Sequence, residues 1–286
     1  SPAISAAAGG RYAGAMSPFQ EIASGVVRRR YPSLDLNIGV VAGPGGRLLV
    51  DTRASHTQAA ELIEELQDLG DAPLLAIVNT HWHWDHVWGN AMFPGVPIWG
   101  HERCRSHLLE RGEADRAGVL AWLPAEHHAT VRSVVITPPA LTFTAPTRID
   151  AGGRPVQVHP VGLAHTDADV VVHVPDAGVV FAGDIVEEGA PPSFEDAYPL
   201  DWPAALDRLL ALEWDVAVPG HGDVVDRAFV ARQREQIAEL AALARAGFAA
   251  GRGADEIDPA SAPFGERASR VALARAYEQL AAQEPG

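Results

Sequence analysis

His81-Trp82-His83-Trp84-Asp85-His86 decides the reading of this chain. It follows the run from Leu74 to Val78, which is wholly apolar and predicts a buried strand, and the polar step Asn79-Thr80. In an extended segment residues i and i+2 point the same way, so His81 and His83 reach one ion together. Asp85 and His86 come after a turn and face a second ion. Imidazole and carboxylate are donors for zinc, and for iron or manganese where more oxygens join.

Working outward, three more polar residues fall where an apolar run gives way to a loop. His165 lies in Gly162-Leu163-Ala164-His165-Thr166-Asp167-Ala168-Asp169, after an expected strand at 156–161. Asp184 ends Phe181-Ala182-Gly183-Asp184, after a strand expected at 179–182. His221 lies in Pro219-Gly220-His221-Gly222, after a strand expected at 216–218. Loops that follow strands are where α/β scaffolds gather functional groups.

The series H-x-H-x-D-H, A-H-T, F-x-G-D and P-G-H-G, in this order and each after a strand, resembles the metallo-β-lactamase-fold hydrolase superfamily. The likeness runs from about residue 20 to 245. It implies an α+β fold, a four-layer αββα sandwich with a dinuclear metal site at one edge of the sheets. Carried over, His81, His83 and His165 hold the first metal; Asp85, His86 and His221 hold the second; Asp184 bridges them. Two Zn2+ are the expected cofactors, with iron or manganese as alternatives. Asp184 stands where β-lactamases with a cysteine ligand carry that cysteine, so the glyoxalase II, lactonase and thioesterase branches are the nearer likeness. Residues 162–172 also resemble polyketide cyclase and thioesterase members from high-GC bacteria. The implied reaction is attack by a metal-bound hydroxide on an ester, thioester, lactone or lactam carbonyl, with Asp85 and Asp184 as catalytic residues and Asp85 able to pass a proton. The competing readings are a persulfide dioxygenase with one iron, a β-lactamase, and a binding protein that has lost catalysis.

Flanking aromatics are assigned to the pocket: Trp84, Trp122, Phe194, Tyr198 and Trp202. Aromatic lids point to a largely apolar small-molecule substrate. Trp82 and Trp84 alternate with the ligands, so one is expected in the core and one at the entrance. Asp169 is expected to orient a ligand histidine from behind. The remaining histidines, among them His101, His107 and His173, read as solvated or capping residues. Cys104 reads as a small buried side chain, and Arg28-Arg29-Arg30 as a solvated strand or turn face, with an anionic-substrate clamp the alternative.

Composition removes other classes. The chain has 286 residues, with Lys+Arg 22, Asp+Glu 37 and a net charge of −15. Every basic residue is arginine, which excludes Schiff-base chemistry on a side chain and a Walker-type lysine. The acidic balance argues against nucleic acid as a partner. No apolar run approaches the ~18 residues of a membrane span. One cysteine allows no internal disulfide and fits a reducing, cytoplasmic location, with export the alternative if a leader was trimmed. Residues 1–15, rich in Ala, Gly and Ser, read as a cloning linker ahead of a start near Met16. Residues 16–286 read as one domain, with a lid insertion around 103–147 and C-terminal helices. Val271, Leu273, Ala276 and Leu280 on the last helix are expected to pack on their own domain, in a monomer or homodimer.

Overall fold

The computed structural model describes residues 18–283; the expected linker and Met16 lie outside the described residues. The chain opens with strands β1 (Gln20–Ala23), β2 (Val26–Tyr31), β3 (Leu36–Gly43) and β4 (Gly46–Val50), then helix α1 (His56–Leu66). Strand β5 (Leu74–Val78), the single turn α2 (Trp84–Val87), β6 (Ile98–His101), α3 (Glu102–Trp122) and α4 (His128–Ser133) follow. The second half holds β7 (Leu141–Phe143), β8 (Thr147–Asp150), β9 (Pro155–Pro160), β10 (Val170–Val174), β11 (Val179–Glu187), α5 (Trp202–Leu210), β12 (Val216–His221), α6 (Arg227–Ala249) and α7 (Gly265–Gln283).

Hydrogen bonding runs in the order β7-β6-β5-β4-β3-β12-β11-β10-β9-β8, with β2 also on β3 and β1 on β2. The halves meet at β3 and β12 through one register pair, Leu36 with His221. Around this seam the halves fold face to face. Val41, Leu48, Val50, Ala76 and Val78 of the first half share one buried cluster with Val156, Val158, Val172, Phe181 and Val218 of the second.

Period-two alternation sends the neighbouring residues outward. Val40, Leu49 and Ile77 pack under Ala59 and Leu62 of α1. Val171, Val180, Ala182 and Ile185 pack under α5 and α6. The result is the expected helix–sheet–sheet–helix layering. α5 fits its place because Trp202, Ala205, Leu206 and Leu209 recur at helical spacing and are all buried. α1 begins at Ser55, whose hydroxyl accepts from the Gln58 amide at 3.2 Å.

Several expectations need correction. The strand expected at 179–182 continues to Glu187, so Asp184 sits inside β11 beside register irregularities around Gly183, not on a following loop. His221 is likewise the last residue of β12. The stretch 103–147 is not only a lid, because β7 joins the sheet edge at β6. The Arg28–Arg30 run is strand β2, and it is not simply solvated. Arg28 is buried and pairs with Asp223 at 2.5 Å, Arg29 with Glu65 at 3.1 Å and Arg30 with Asp35 at 2.5 Å. α7 packs on its own domain: Leu273 and Ala276 join Ala241, Ala244 and Ile257.

Candidate metal centre

Strand ends bring the seven sequence-predicted residues together. β5 delivers His81 and His83 on an extended loop, and α2 turns Asp85 and His86 inward. The β9–β10 loop, β11 and β12 bring His165, Asp184 and His221. The ligating atoms fall into two groups, each within 4.8 Å: His81, His83, His165 and Asp184; and Asp85, His86 and His221.

Spacing tests whether these groups suit metal ions. A tetrahedral ion with bonds near 2.0–2.1 Å sets its donors roughly 3.3 Å apart. His83 Nδ1 lies 3.1 Å from His81 Nε2 and 2.7 Å from His165 Nε2. Asp184 Oδ2 lies 3.5 Å from His165 Nε2 and 3.7 Å from His81 Nε2. In the second group His221 Nε2 is 3.3 Å from both His86 Nε2 and Asp85 Oδ2. Asp184 faces this group too, with Oδ2 3.2 Å from His221 Nε2 and Oδ1 3.1 Å from His86 Nε2. Oδ1 is buried and makes no hydrogen bond of good geometry.

The outward ring nitrogens fix which lone pairs face inward. His86 Nδ1 donates to Asp51 Oδ2 at 2.8 Å, His165 Nδ1 to the Ser193 carbonyl at 3.2 Å and His221 Nδ1 to the Leu34 carbonyl at 2.7 Å. The Thr80 hydroxyl donates to Asp51 Oδ2 at 2.8 Å, which leaves its oxygen to accept from His81 Nδ1 at 3.0 Å. His83 is reversed: its Nε2 donates to Asp196 Oδ2 at 3.3 Å, and Nδ1 faces the cluster. Each imidazole thus offers one lone pair to the centre and anchors its other nitrogen, the arrangement that orients metal-ligating histidines.

Charge divides the imidazoles: burial holds His81 down, whereas at His86 and His221 the carboxylates of Asp184 and Asp85 outweigh burial and hold both well above the usual range. Burial, joined by neighbouring His83, pushes the His165 imidazole down to about 3, leaving it neutral. Burial opposes the Asp184 carboxylate, but His86, His221 and His81 outweigh it and hold its pKa well below the usual range. Burial, then the charge of Asp184, pushes Glu187 up to about 8; its Oε1 accepts from the Ser193 amide at 2.9 Å.

Gly220 makes room for this packing. A Cβ there would lie 1.7 Å from Asp184 Oδ1. Any side chain at 220 therefore displaces the carboxylate that faces both groups.

Sequence reasoning missed Asp51, Asp196, Leu34 and Ser193. Asp51 carried a signal, because it too stands at a strand end, directly after Val50. It is buried, holds a positive φ of 64° and also accepts from the Thr80 amide at 2.8 Å. Asp51→Ala frees His81 and His86 together, so metal affinity should fall about 10–100-fold, read by competition with a chromogenic chelator. An unchanged affinity would show that the two rings are held by packing alone.

Asp169 acts differently from expectation. It accepts from the Thr166 amide and hydroxyl, both at 2.7 Å, so it braces the loop of His165 and does not touch the ring. Burial pushes its carboxyl up to about 7.

A cavity of about 830 Å³ opens over the cluster. Trp84 and Trp122 line it as expected, with ring centroids 6.0 Å apart, and Trp82 also reaches it. Phe194, Tyr198 and Trp202 do not line it. Phe194 and Trp202 are fully buried against each other, 5.4 Å apart, because the helix that carries Trp202 turns it into the core. Cys104 is buried as expected, and His101 caps α3 by accepting from the Arg103 amide. His107, read as solvated or capping, stacks on Trp82 at 3.6 Å, and His173 is buried.

A family description, the Metallo-beta-lactamase superfamily, matches residues 34–221, a span containing all seven residues. The chain belongs to this superfamily. Among curated relatives, it is 25% identical to a linear primary-alkylsulfatase of Pseudomonas sp. (strain ATCC 19151) over 72% of this chain and 44% of that protein. It is also 25% identical to a metallo-beta-lactamase type 2 of Bacteroides fragilis, over 61% of this chain and 64% of that one. The chain thus spans less than two thirds of either relative's length. Among solved structures, the superfamily fold is shared with a metallo-beta-lactamase from Pontibacter korlensis (TM-score 0.63, 23% identity, 77% of this chain and 98% of that one). It is shared as well with a double mutant of the sec-alkyl sulfatase PisA1 (TM-score 0.74, 19% identity, 93% of this chain and 50% of that one). This superfamily member has no helix among its described residues long and apolar enough to cross a membrane.

Proposed function

We propose that this chain is a dinuclear zinc hydrolase that cleaves an ester, thioester, lactone or lactam carbonyl, with thioesterase- and lactonase-like substrates first. The observation that carries this reading is the paired donor set: two groups at metal-ligand spacing, with Asp184 facing both. Bound there, two divalent ions supply an activated water at neutral pH and Lewis acidity toward a carbonyl oxygen. His81, His83 and His165 would hold one ion and Asp85, His86 and His221 the other, with Asp184 facing both groups. Asp85 has the further task of moving a proton, since its carboxylate faces the space above the cluster and lines the cavity. Trp84 and Trp122 exclude water from the substrate's apolar part. The cavity suits a small molecule, whose sites commonly measure about 300–1,000 Å³.

The test is metal content of protein purified without chelator or added metal, followed by a panel of aryl esters, thioesters, lactones, a β-lactam and an alkyl sulfate. Near two zinc ions per chain are expected, with acyl turnover lost on chelation and restored by zinc. Near one iron per chain with oxygen uptake would replace this reading by sulfur oxidation. Turnover of the alkyl sulfate alone would move the substrate to the class that the alkylsulfatase relative's name gives.

A further inference from the structure

The walls of the cavity carry a charge pattern that the seven ligating residues do not need. Apart from those residues and buried Glu187, the lining holds five carboxylates, Asp35, Asp115, Glu188, Glu195 and Asp196, against one guanidinium, Arg267. Arg30 neutralises Asp35 at 2.5 Å. Asp196 and Asp115 face imidazoles, His83 at 3.3 Å and His107 at 2.8 Å. Among the described residues Glu188 and Glu195 have no ion-pair partner; they accept from the Asp223 amide and the Ser193 hydroxyl, both at 2.8 Å.

α3 adds a shaped apolar corner. Asp115, Gly118, Val119 and Trp122 fall on one helical face and all line the cavity. Gly118 leaves a gap between the carboxylate and the indole, since a Cβ there would meet nothing within 4 Å. Trp122 is 61% exposed, and its ring stands at 64° to that of Trp84. Two indoles set edge to face in a cavity whose lining carries an excess of carboxylates attract a cation through both the ring quadrupole and Coulomb's law. The same wall repels a sulfate, a carboxylate or a phosphate-bearing thioester.

Resting on the hydrolase reading above, we propose that the substrate carries a quaternary or protonated ammonium group seated against Trp84 and Trp122, with its acyl carbonyl toward the His–Asp cluster. The cleaved bond is the acyl C–O bond. Water adds to the carbonyl carbon, the alkoxide takes a proton, and the products are a carboxylate and an amino alcohol.

Two measurements on the full chain as purified test this. The first needs no turnover: tryptophan fluorescence during titration with phenyltrimethylammonium, and separately with phenyl sulfate. Saturable quenching by the ammonium ion is expected, weakened about ten-fold or more in Trp122→Ala and by added salt. Trp122 is exposed, so this variant should keep its fold, and circular dichroism checks that. Asp115→Asn with Glu195→Gln provides a second, isosteric variant that should weaken the ion likewise. The second measurement compares kcat/KM for a choline ester and its uncharged 3,3-dimethylbutyl isostere; a preference of roughly ten-fold for the charged ester is expected.

Hydrolysis of both esters at equal rates, with no ammonium binding, overturns the inference and leaves the hydrolase standing. Ammonium binding without hydrolysis of either ester upholds the cation seat and overturns the acyl C–O bond as the one cleaved; the hydrolase reading then rests on the thioester, lactone and lactam panel. Tighter binding of phenyl sulfate than of the ammonium ion overturns the inference outright.

Discussion

Asp184→Ala should yield a folded protein that holds no more than one metal ion per chain and has lost about a hundred-fold or more of its turnover. The argument is geometric. Oδ2 faces His81, His165 and His221, and Oδ1 faces His86, so this carboxylate adjoins imidazoles of both groups. It also supplies the anionic charge that five imidazoles lack. Asp184→Asn keeps the shape and removes the charge; it should retain more metal than the alanine variant and still turn over slowly. Elemental analysis and steady-state kinetics on both variants decide the matter. Two ions per chain and near-normal turnover in Asp184→Ala would mean that the groups are independent and that the dinuclear reading is wrong.

Trp202→Ala should lower stability by about 3–5 kcal/mol, the range for removing a large aromatic from a packed core. Trp202 is fully buried at the start of α5, and its indole Nε1 donates to the Ile185 carbonyl at 3.0 Å. The ring also packs on Phe194 and lies 5.8 Å from that of His165. The deletion leaves a cavity and removes one of the two donors to the Ile185 carbonyl, which keeps Gln233 Nε2 at 2.8 Å. For a chain of this size the midpoint of thermal unfolding should fall by roughly 10 °C. Trp202→Phe keeps most of the volume and should cost about half as much or less. A pocket role would give the opposite result: a raised KM with the melting temperature untouched. Thermal melts and KM on one preparation separate the two.

That contrast shows what the sequence could and could not tell. The seven converging residues were legible because each stands at or just beyond an apolar run, where a polar residue has no packing reason to be, although β11 continues past Asp184 to Glu187. The layered fold was legible for the same reason. The anchors of the histidines were not. Asp51, Asp196, Ser193 and Leu34 reach their partners across 35, 113, 28 and 187 positions, distances over which no local pattern survives. The pocket assignments of Phe194 and Trp202 failed because an aromatic in a loop or first helical turn looks the same in sequence whether it turns in or out. The pairing of the three β2 arginines was not legible, because Asp35 and Asp223 lie on loops and Glu65 on α1.

The seam between the half-sheets has a consequence of its own. One register pair, Leu36 with His221, joins β3 to β12, while the converging side chains come from both sides of it: four from the first half, three from the second. Ions shared by these groups act as rivets across the thinnest part of the backbone's hydrogen-bonded fabric. Ligands that bind only the assembled state stabilise it by mass action. Occupancy and mechanical cohesion would then be the same quantity: removing ions held there would loosen the protein along a line that runs through the His–Asp cluster.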